Sequence, residues 1–556
     1  MIQQLTALLI ENMAPIMFLS LVVVLLLGYP VAFSLSAVGL IFALLGIELG
    51  LFTENFLGAL PGRVLGIMNN ETLLAIPFFT LMGLVLERSG MAEDLIDTIG
   101  QLFGPVRGGL AYAVIFVGAL LAATTGIVAA SVISMSLIAL PIMMRYGYDR
   151  YLATGVIMAS GTLAQLIPPS IILIVLADQL SVSVGDMYRG ALVPSLVLVG
   201  LYAAYVFVLS IVRPHAVPAL PPEARNLNEP NGKMGLRSLL VLIVLIAALM
   251  FFAQMGLQAL YPNQPEADRM VYGSTLGVVV GYLIVLLDRQ FGLGLFSRMA
   301  QAVIMVLVPP LALVFLVLGT ILLGIATPTE GGAMGAIGAL VLALAKRRLS
   351  VSILSQSIEA TAKLSAFVLF ILIGARVFAL TFYGVNGHLW VEHLLLAIPG
   401  GVIGFLVLVN TIVFILGCFL DFFEIAFILI PLLAPVAVAL DTNLVWFGVM
   451  LAVNLQTSYL TPPFGFALFF MRSVTPASDY IDKITRKTIK GIKTGDIYRA
   501  GLAFVVLQVL MIALLIVFPD LVDRPPDLSK IDTTNMKIDL PPPPAELDLP
   551  PPSFGN

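Results

Sequence analysis

Apolar runs long enough to cross a bilayer, punctuated by short polar or glycine-proline breaks, fill most of the chain. The first two lie at about 13–29 and 31–49, divided by Gly28-Tyr29-Pro30, and a third at 73–88 ends in Arg88-Ser89-Gly90. Residues 91–107 differ. There Glu93, Asp94 and Asp97 alternate at helical spacing with Leu95, Ile96 and Leu102, the pattern of a helix lying along a membrane surface and stopping at Pro105. Residues 109–144 form one long apolar stretch with a small, polar waist at Ala122-Ala123-Thr124-Thr125-Gly126. We read it as a re-entrant helical hairpin with its tip at the waist; one very long helix is the alternative. Spans at 151–176 and 190–212 follow.

The span at 151–176 contains GTLAQLIPPS, Gly161 to Ser170, and a later one at 445–470 contains NLQTSYLTPPFG, Asn454 to Gly465. Both must break. Proline lacks an amide donor and clashes with the carbonyl one turn back, so Pro168-Pro169 and Pro462-Pro463 are expected to leave bare carbonyls at membrane depth. Such groups are tolerated only when buried in protein or lining a polar cavity.

The two Pro-Pro pairs are 462 − 168 = 294 residues apart, and the same offset pairs Gly90 with Gly384, Pro105 with Pro399 and Pro141 with Pro435. Pro30 and Gly39 resemble Pro328 and Gly338 at slightly larger offsets. The chain therefore reads as two repeats. Residues 1–212 hold the first, with hairpin 109–144 and broken helix 151–176, and residues 301–519 the second, with hairpin 403–440 and broken helix 445–470. Between them, 213–300 supply a polar linker and an extra pair of spans near 238–253 and 271–287, and 520–556 form an acidic, proline-rich tail expected to be extended. Arg145 and Arg150 follow the first hairpin, whereas the matching stretch Val438 to Leu444 holds only Asp441; Lys346, Arg347 and Arg348 have no basic counterpart near Glu48. By the positive-inside rule the repeats are inverted, with Arg213, Arg225, Lys233, Arg237 and the cluster Lys483, Arg486, Lys487, Lys490, Lys493 and Arg499 cytoplasmic. Twelve full spans plus two hairpins would put both termini outside.

Composition agrees with this picture. Hydrophobic residues make up 60% of the 556 and charged residues 11%, against about 25% charged in soluble domains. Mean hydropathy is +1.06. The alternation of a membrane barrel is absent, so the class is an all-α polytopic membrane protein. A lone cysteine, Cys418, excludes an intrachain disulfide and a thiolate metal cluster, and no HExxH, Walker A or GxGxxG pattern offers an ATP engine or cofactor fold. MIQQLTALLIEN lacks the basic flank of a cleavable signal, so the first span is expected to be retained.

A hard cation such as sodium takes about five or six oxygens from carbonyls, hydroxyls and amides. The first-repeat candidates are Thr124, Thr125 and Gly126 at the tip, with Ser160, Gly161 and Leu163 before the proline pair. In the second repeat they are Asp421 at the tip, with Asn454, Gln456, Thr457 and Thr461. The plain alternative is that small and hydroxyl residues simply let helices pack closely. Asp421, Glu330 and Arg376 are intramembrane ionisable groups, costly there unless they are functional, paired or able to reach an interface.

At these residues the chain resembles the large membrane subunit of tripartite ATP-independent periplasmic (TRAP) transporters. The resemblance rests on MRYGYDRYLATGVIMASGTLAQLIPPS (Met144 to Ser170), GIATPTEGGAMGAIGAL (Gly324 to Leu340) and VNLQTSYLTPPFG (Val453 to Gly465), and it extends over most of 10–520. The extra spans and the tail depart from the usual subunit. The resemblance implies an ion-transporter-superfamily elevator in a bacterial inner membrane, importing an organic acid with sodium as coupling ion and no other cofactor. It also implies a small four-helix membrane subunit and a periplasmic substrate-binding protein as partners, and no nucleic acid. Family sodium sites would fall around Gly161 and around Thr457 to Pro462. Rival readings are a stand-alone sodium- or proton-coupled dicarboxylate carrier, a membrane enzyme using His388 and His393 beside Trp390, and a channel.

Overall fold

The computed structural model describes residues 9–227, 235–262, 266–482 and 484–522. Lys233, Lys483 and all of the proline-rich tail beyond residue 522 lie outside them. Apart from a two-residue pairing of Tyr480–Ile481 with Thr488–Ile489, every regular element among the described residues is helical. Nine of these helices are long and apolar enough to cross a membrane, or up to twelve if each bent pair is one span. The molecule is an all-α polytopic membrane protein.

The opening helices Met13–Leu26 and Val31–Glu48 turn at Gly28, whose φ of +82° suits glycine. The mixed stretch before Asn70, to which the apolar pattern assigns no element, forms the helix Leu60–Met68, and the Phe56–Met68 segment bends by 48° against Glu71–Arg88. Asn70 caps that second helix, its side chain accepting from Thr72 N at 3.0 Å. The surface-type helix runs Met91–Phe103, one turn shorter than expected, with Leu95, Ile96 and Ile99 buried. The waist of the 109–144 stretch is a real interruption: Gly109–Thr125 and Val128–Arg145 are separate helices joined by Gly126-Ile127. In the 403–440 stretch, Gly401–Leu416 is followed by a non-helical segment through Asp421. Its second arm is itself bent, Phe422–Ile428 meeting Ile430–Ala439 at 53°.

Both proline-pair helices are broken. Arg150–Thr162 passes through the single turn Leu163–Gln165 to Ile171–Gln179, and Leu444–Tyr459 gives way to Phe466–Val474. The Pro168-Pro169 and Pro462-Pro463 peptides are cis. The long helices Val184–Val212 and Thr494–Val517 pack behind these pieces.

Four further helices frame this group, and they pair across the two stretches. Val31–Glu48 lies against the 34-residue helix Val351–Gly384, where a Cβ at Gly39 would sit 2.9 Å from Phe378 Cα and one at Gly374 2.5 Å from Ala32 O. Thr381 Oγ1 donates to Gly39 O at 2.9 Å. In the reciprocal pairing, Pro328–Ala345 lies against Glu71–Arg88, Gly332 facing Phe78 and Phe79 and Gly335 facing Met82. Glycine is what lets the backbones approach this closely.

The added spans, Leu236–Leu260 and Glu266–Phe291, pack on one another where Gly273, Gly277 and Gly281 meet Gln254, Met250 and Ile246. With Arg298–Leu322 they form a small core of their own around Leu242, Val285 and Ala300. The buried Asp288 carboxylate ties the connection, accepting from Leu295 N at 2.9 Å and Gln301 Nε2 at 2.8 Å.

On one face, Arg145 donates to Asp482 through Nε and Nη2 at 3.0 to 3.2 Å, and Arg150 pairs with Asp496 at 3.2 Å. Arg348 and Lys346 reach Asp94 at 3.0 and 3.5 Å, joining the second stretch to the surface helix of the first. The Arg145 guanidinium, with the hydroxyl and amide of Thr485, holds the Asp482 carboxyl well below the usual carboxylate range.

Two outcomes follow. Gly39→Leu should lower the thermal midpoint of the detergent-solubilised protein, costing about 1–3 kcal/mol from overpacking, while Gly200→Leu, which meets open space, should not. Because its folded pKa is depressed, Asp482 stabilises the fold above its unfolded value near 4, and that contribution fades as pH falls toward the folded value. Melting curves of Asp482→Asn should therefore lie below those of the native protein at pH 7, begin to converge with them below about pH 5 and meet them only as the pH falls toward the depressed folded value.

Candidate functional site

The two tips and the two helix breaks meet around one cavity of about 140 Å³. Gly126, Ile127, Val128 and Ala129 line it from the first tip, Asp421, Phe422 and Phe423 from the second, and Ile171, Tyr459, Phe466 and Phe470 from the broken helices, with Leu364 from the frame. Larger clefts, of about 310 and 470 Å³, are lined by residues such as Ile96, Leu110 and Ile142 in one and Thr72, Asp178 and Val184 in the other, and include no residue of either tip.

At the second tip, Asp421 caps Phe422–Ile428 through the Phe422 amide at 2.5 Å, and the Glu424 carboxylate accepts from Asp421 N at 2.9 Å. The Tyr459 hydroxyl donates to Asp421 Oδ1 at 2.6 Å, fastening tip to helix break. Gly417 lies so close to Ser458 that a Cβ would fall 2.6 Å from its Oγ. At the first tip Gly126, with φ +60°, approaches Ile171 at the start of the second helical piece.

The sequence candidates divide. In the first stretch, Thr124 and Thr125 each donate to Leu121 O at 2.9 Å, and Thr125 Oγ1 is also 2.9 Å from Ser131 Oγ. The Thr125 backbone presses on Gly83 of the frame. Gly161 is a contact point, since a Cβ there would lie 2.5 Å from Val132 Cγ2. Ser160 is fully buried and its hydroxyl has no protein partner; the same is true of both polar atoms of Gln165.

In the second stretch, Thr457 and Thr461 bond back to Val453 O and Thr457 O, at 2.8 and 2.9 Å. Asn454 donates to Asn410 O at 2.7 Å and Oδ1 at 3.0 Å. Gln456 points away from Asp421. Its Nε2 donates to Thr162 Oγ1 at 3.2 Å and to the Tyr202 hydroxyl at 3.3 Å, and Gln508 Nε2 reaches that hydroxyl at 2.7 Å. Thr162 and Gln456 are separated by 294 residues, the same offset as the two proline pairs.

The expectation of bare carbonyls needs correction at several positions. Leu163 O accepts from Leu166 N and Ile167 N at 3.0 and 2.9 Å, Gln165 O from Ser170 Oγ at 2.7 Å, Thr461 O from Gly465 N at 3.0 Å and Pro463 O from the Tyr498 hydroxyl at 3.1 Å. Short turns and nearby hydroxyls absorb the polarity that the breaks release. Glu330 is engaged in a capping box with Thr327, and Arg376 is exposed. His388 stacks on Tyr383 with centroids 4.6 Å apart. Sequence reading passed over Gln165 and Tyr459, although both stand inside the two proline-pair motifs, and it also missed the phenylalanines of the second tip and of the helix after the second break.

Residues 18–521 match the family described as tripartite ATP-independent periplasmic transporter, DctM component. The chain belongs to that family. Relatives of this DctM-family chain include the C4-dicarboxylate TRAP transporter large permease protein DctM of Pseudomonas aeruginosa, 28% identical over 472 residues, covering 84% of this chain and 88% of that one. The sialic acid TRAP transporter large permease protein SiaM of Vibrio cholerae is 24% identical over 448 residues, covering 80% and 86%. Among solved structures, the YdaH transporter of Alcanivorax borkumensis aligns with a TM-score of 0.48 at 15% identity, over 84% of this chain and 90% of that one. The DctM component is a membrane transporter subunit, which gives no support to the enzyme reading of His388 and His393.

The buried amide-phenol network makes a measurable statement. In a double-mutant cycle on this DctM-family chain, Gln456→Leu and Tyr202→Phe should each lower the melting temperature, with a coupling of about 0.5–3 kcal/mol. Strict additivity would show that the two groups do not act together.

Proposed function

We propose that the chain is the large subunit of a sodium-coupled importer of an organic acid, working beside a small membrane subunit and a periplasmic binding protein. Family membership supports the tripartite transport role. The observation that carries the site is the convergence of both tips and both helix breaks on one cavity. A site between duplicated, broken helices suits alternating access, in which one group of helices moves against a frame. The frame would be the glycine-mediated helix pairs, and the moving group the tips, the breaks and their two backing helices. On this reading the stretches are inverted copies, the membrane is the bacterial inner membrane and both termini are periplasmic.

The sodium part of the reading is supported by buried oxygens without partners. Ser160 Oγ and Gln165 Oε1 flank the first break and are completely buried, and leaving such groups unsatisfied is costly unless something absent from the protein binds them. A hydroxyl and an amide oxygen are what a hard monovalent cation accepts. Gln165 would join Ser160 as a ligand, with Thr125 and Ser131 in reserve across the tip. Of the second-stretch candidates, Asp421 and Thr457 stay in the proposal, while the amides of Asn454 and Gln456 serve the packing of their helix.

The test is uptake in proteoliposomes that contain the partner subunits, driven by an imposed sodium gradient. Ser160→Ala and Gln165→Leu should each raise the sodium concentration for half-maximal uptake by roughly tenfold, the effect of losing about 1.4 kcal/mol of ion binding. Uptake that ran equally well without sodium would remove the coupling ion from the proposal.

A further inference from the structure

The walls of the tip-to-tip cavity say something about the solute, provided that this cavity is where the solute sits, as proposed above. Its second-stretch side is almost wholly aromatic. Phe422 and Phe423 come from the tip, and Tyr459, Phe466 and Phe470 from the two sides of the helix break. These rings also pack on one another: Phe422 and Phe423 lie 3.9 Å apart between centroids, and Tyr459 and Phe466 5.0 Å. At about 140 Å³ the space is close to the roughly 150 Å³ of an apolar cavity known to accept one benzene ring.

Charge narrows the class further. Among the described residues, no lysine, arginine or histidine lines the cavity, and its ionisable wall groups are the Asp421 carboxyl and the Tyr459 phenol bonded to it. A dicarboxylate would therefore have to place its second carboxylate among phenyl rings or beside Asp421, whose charge already answers that of the sodium ion proposed there, and burial of an unpaired charge is costly. A single carboxylate has a better place at the opposite wall. There Val128 and Ala129 open the helix Val128–Arg145, whose cap residue Ile127 offers its first-turn amides no side chain.

We propose that the solute is a small aromatic monocarboxylate, its ring held among Phe423, Phe466 and Phe470 and its acid group directed to the first tip. That class differs from the C4-dicarboxylates in the names of several relatives. Phe423 and Phe466 are then specificity residues, and the counterpart of Asp421 at the same offset, Ile127 (421 − 127 = 294), marks the end where the anion is accepted.

The experiment is equilibrium binding of radiolabelled benzoate and succinate to the purified full chain in detergent with sodium present. Benzoate should bind at least about tenfold more tightly than succinate. Phe466→Ala and Phe423→Ala should each weaken it by about three- to tenfold, the range expected for losing one ring-ring contact, and Phe466→Leu, which keeps apolar bulk, should weaken it less. Succinate binding as tightly as benzoate, or neither acid binding to protein that elutes as a single folded species, would overturn the proposal. Ala129→Trp, which fills the cavity, separates the two levels. If it leaves sodium-driven uptake intact, the cavity is not on the solute path and the reading of the site itself falls. If it abolishes uptake while succinate and benzoate bind equally, only the ring preference falls.

Discussion

A peptide group in hydrocarbon must find a partner within the protein, and this molecule satisfies that demand at two places where prolines make an ordinary helix impossible. The solution is local. Each break is closed by a short turn and a few side-chain hydroxyls, Ser170 on Gln165 O at the first and Tyr498 on Pro463 O at the second. Each is then covered by the tip of a separate helical segment. The breaks need the tips as cover, and the tips, themselves ends of helices, need the breaks. Because both pairs do this around the same small volume, the polar groups released by the breaks gather in one region between helices that are otherwise largely apolar.

That concentration explains the use of glycine elsewhere. Helices in lipid gain nothing from excluding water, so their association depends on close approach. Gly39, Gly374, Gly332 and Gly335 supply it where the frame helices cross between the two stretches. Gly83 does the same where the frame meets the first tip at Thr125. At Gly39 and Gly374 the contact is backbone against backbone, whereas Gly332 and Gly335 make room for the side chains of Phe79 and Met82. The charged pairs lie away from this surface, at Arg145 with Asp482, Arg150 with Asp496, and Arg348 with Asp94.

Much of the architecture was legible because its strongest signals are covalent. Proline at 168, 169, 462 and 463 fixes where helices end whatever the surroundings, and Gly126 with a positive φ fixes the first tip. The helix Leu60–Met68 and the bend between Ile428 and Ile430 were not legible, since they follow from how neighbouring elements pack rather than from a local pattern. The site was half legible for a related reason. Residue type says that Asn454, Gln456, Thr457 and Tyr459 are all able to bond, but helical phase decides which way each points. Gln456 and Tyr459 stand three residues apart, yet one side chain reaches Thr162 and Tyr202 and the other Asp421. Gln165 was passed over because an amide beside a proline pair reads as a turn residue; only burial without a partner distinguishes it.

The offset of 294 shows where the two stretches have stayed alike and where they have parted. Thr162 and Gln456 stand at that offset and bond to each other, so the join between the breaks falls at positions that the sequence pattern pairs. A few residues away the equivalence ends. The first tip places Ile127 where the second places Asp421, and the first break places Gln165 where the second places Tyr459 (459 − 165 = 294). The second tip is thus tied to its break by a side-chain hydrogen bond between carboxyl and phenol, whereas at the first the corresponding amide is left unpaired in the apolar interior. Two equal sites would bind the same thing twice. The difference at these two pairs gives one side a fastened, aromatic wall and the other an unpartnered polar group, an asymmetry on which the proposed ion and solute sites would draw.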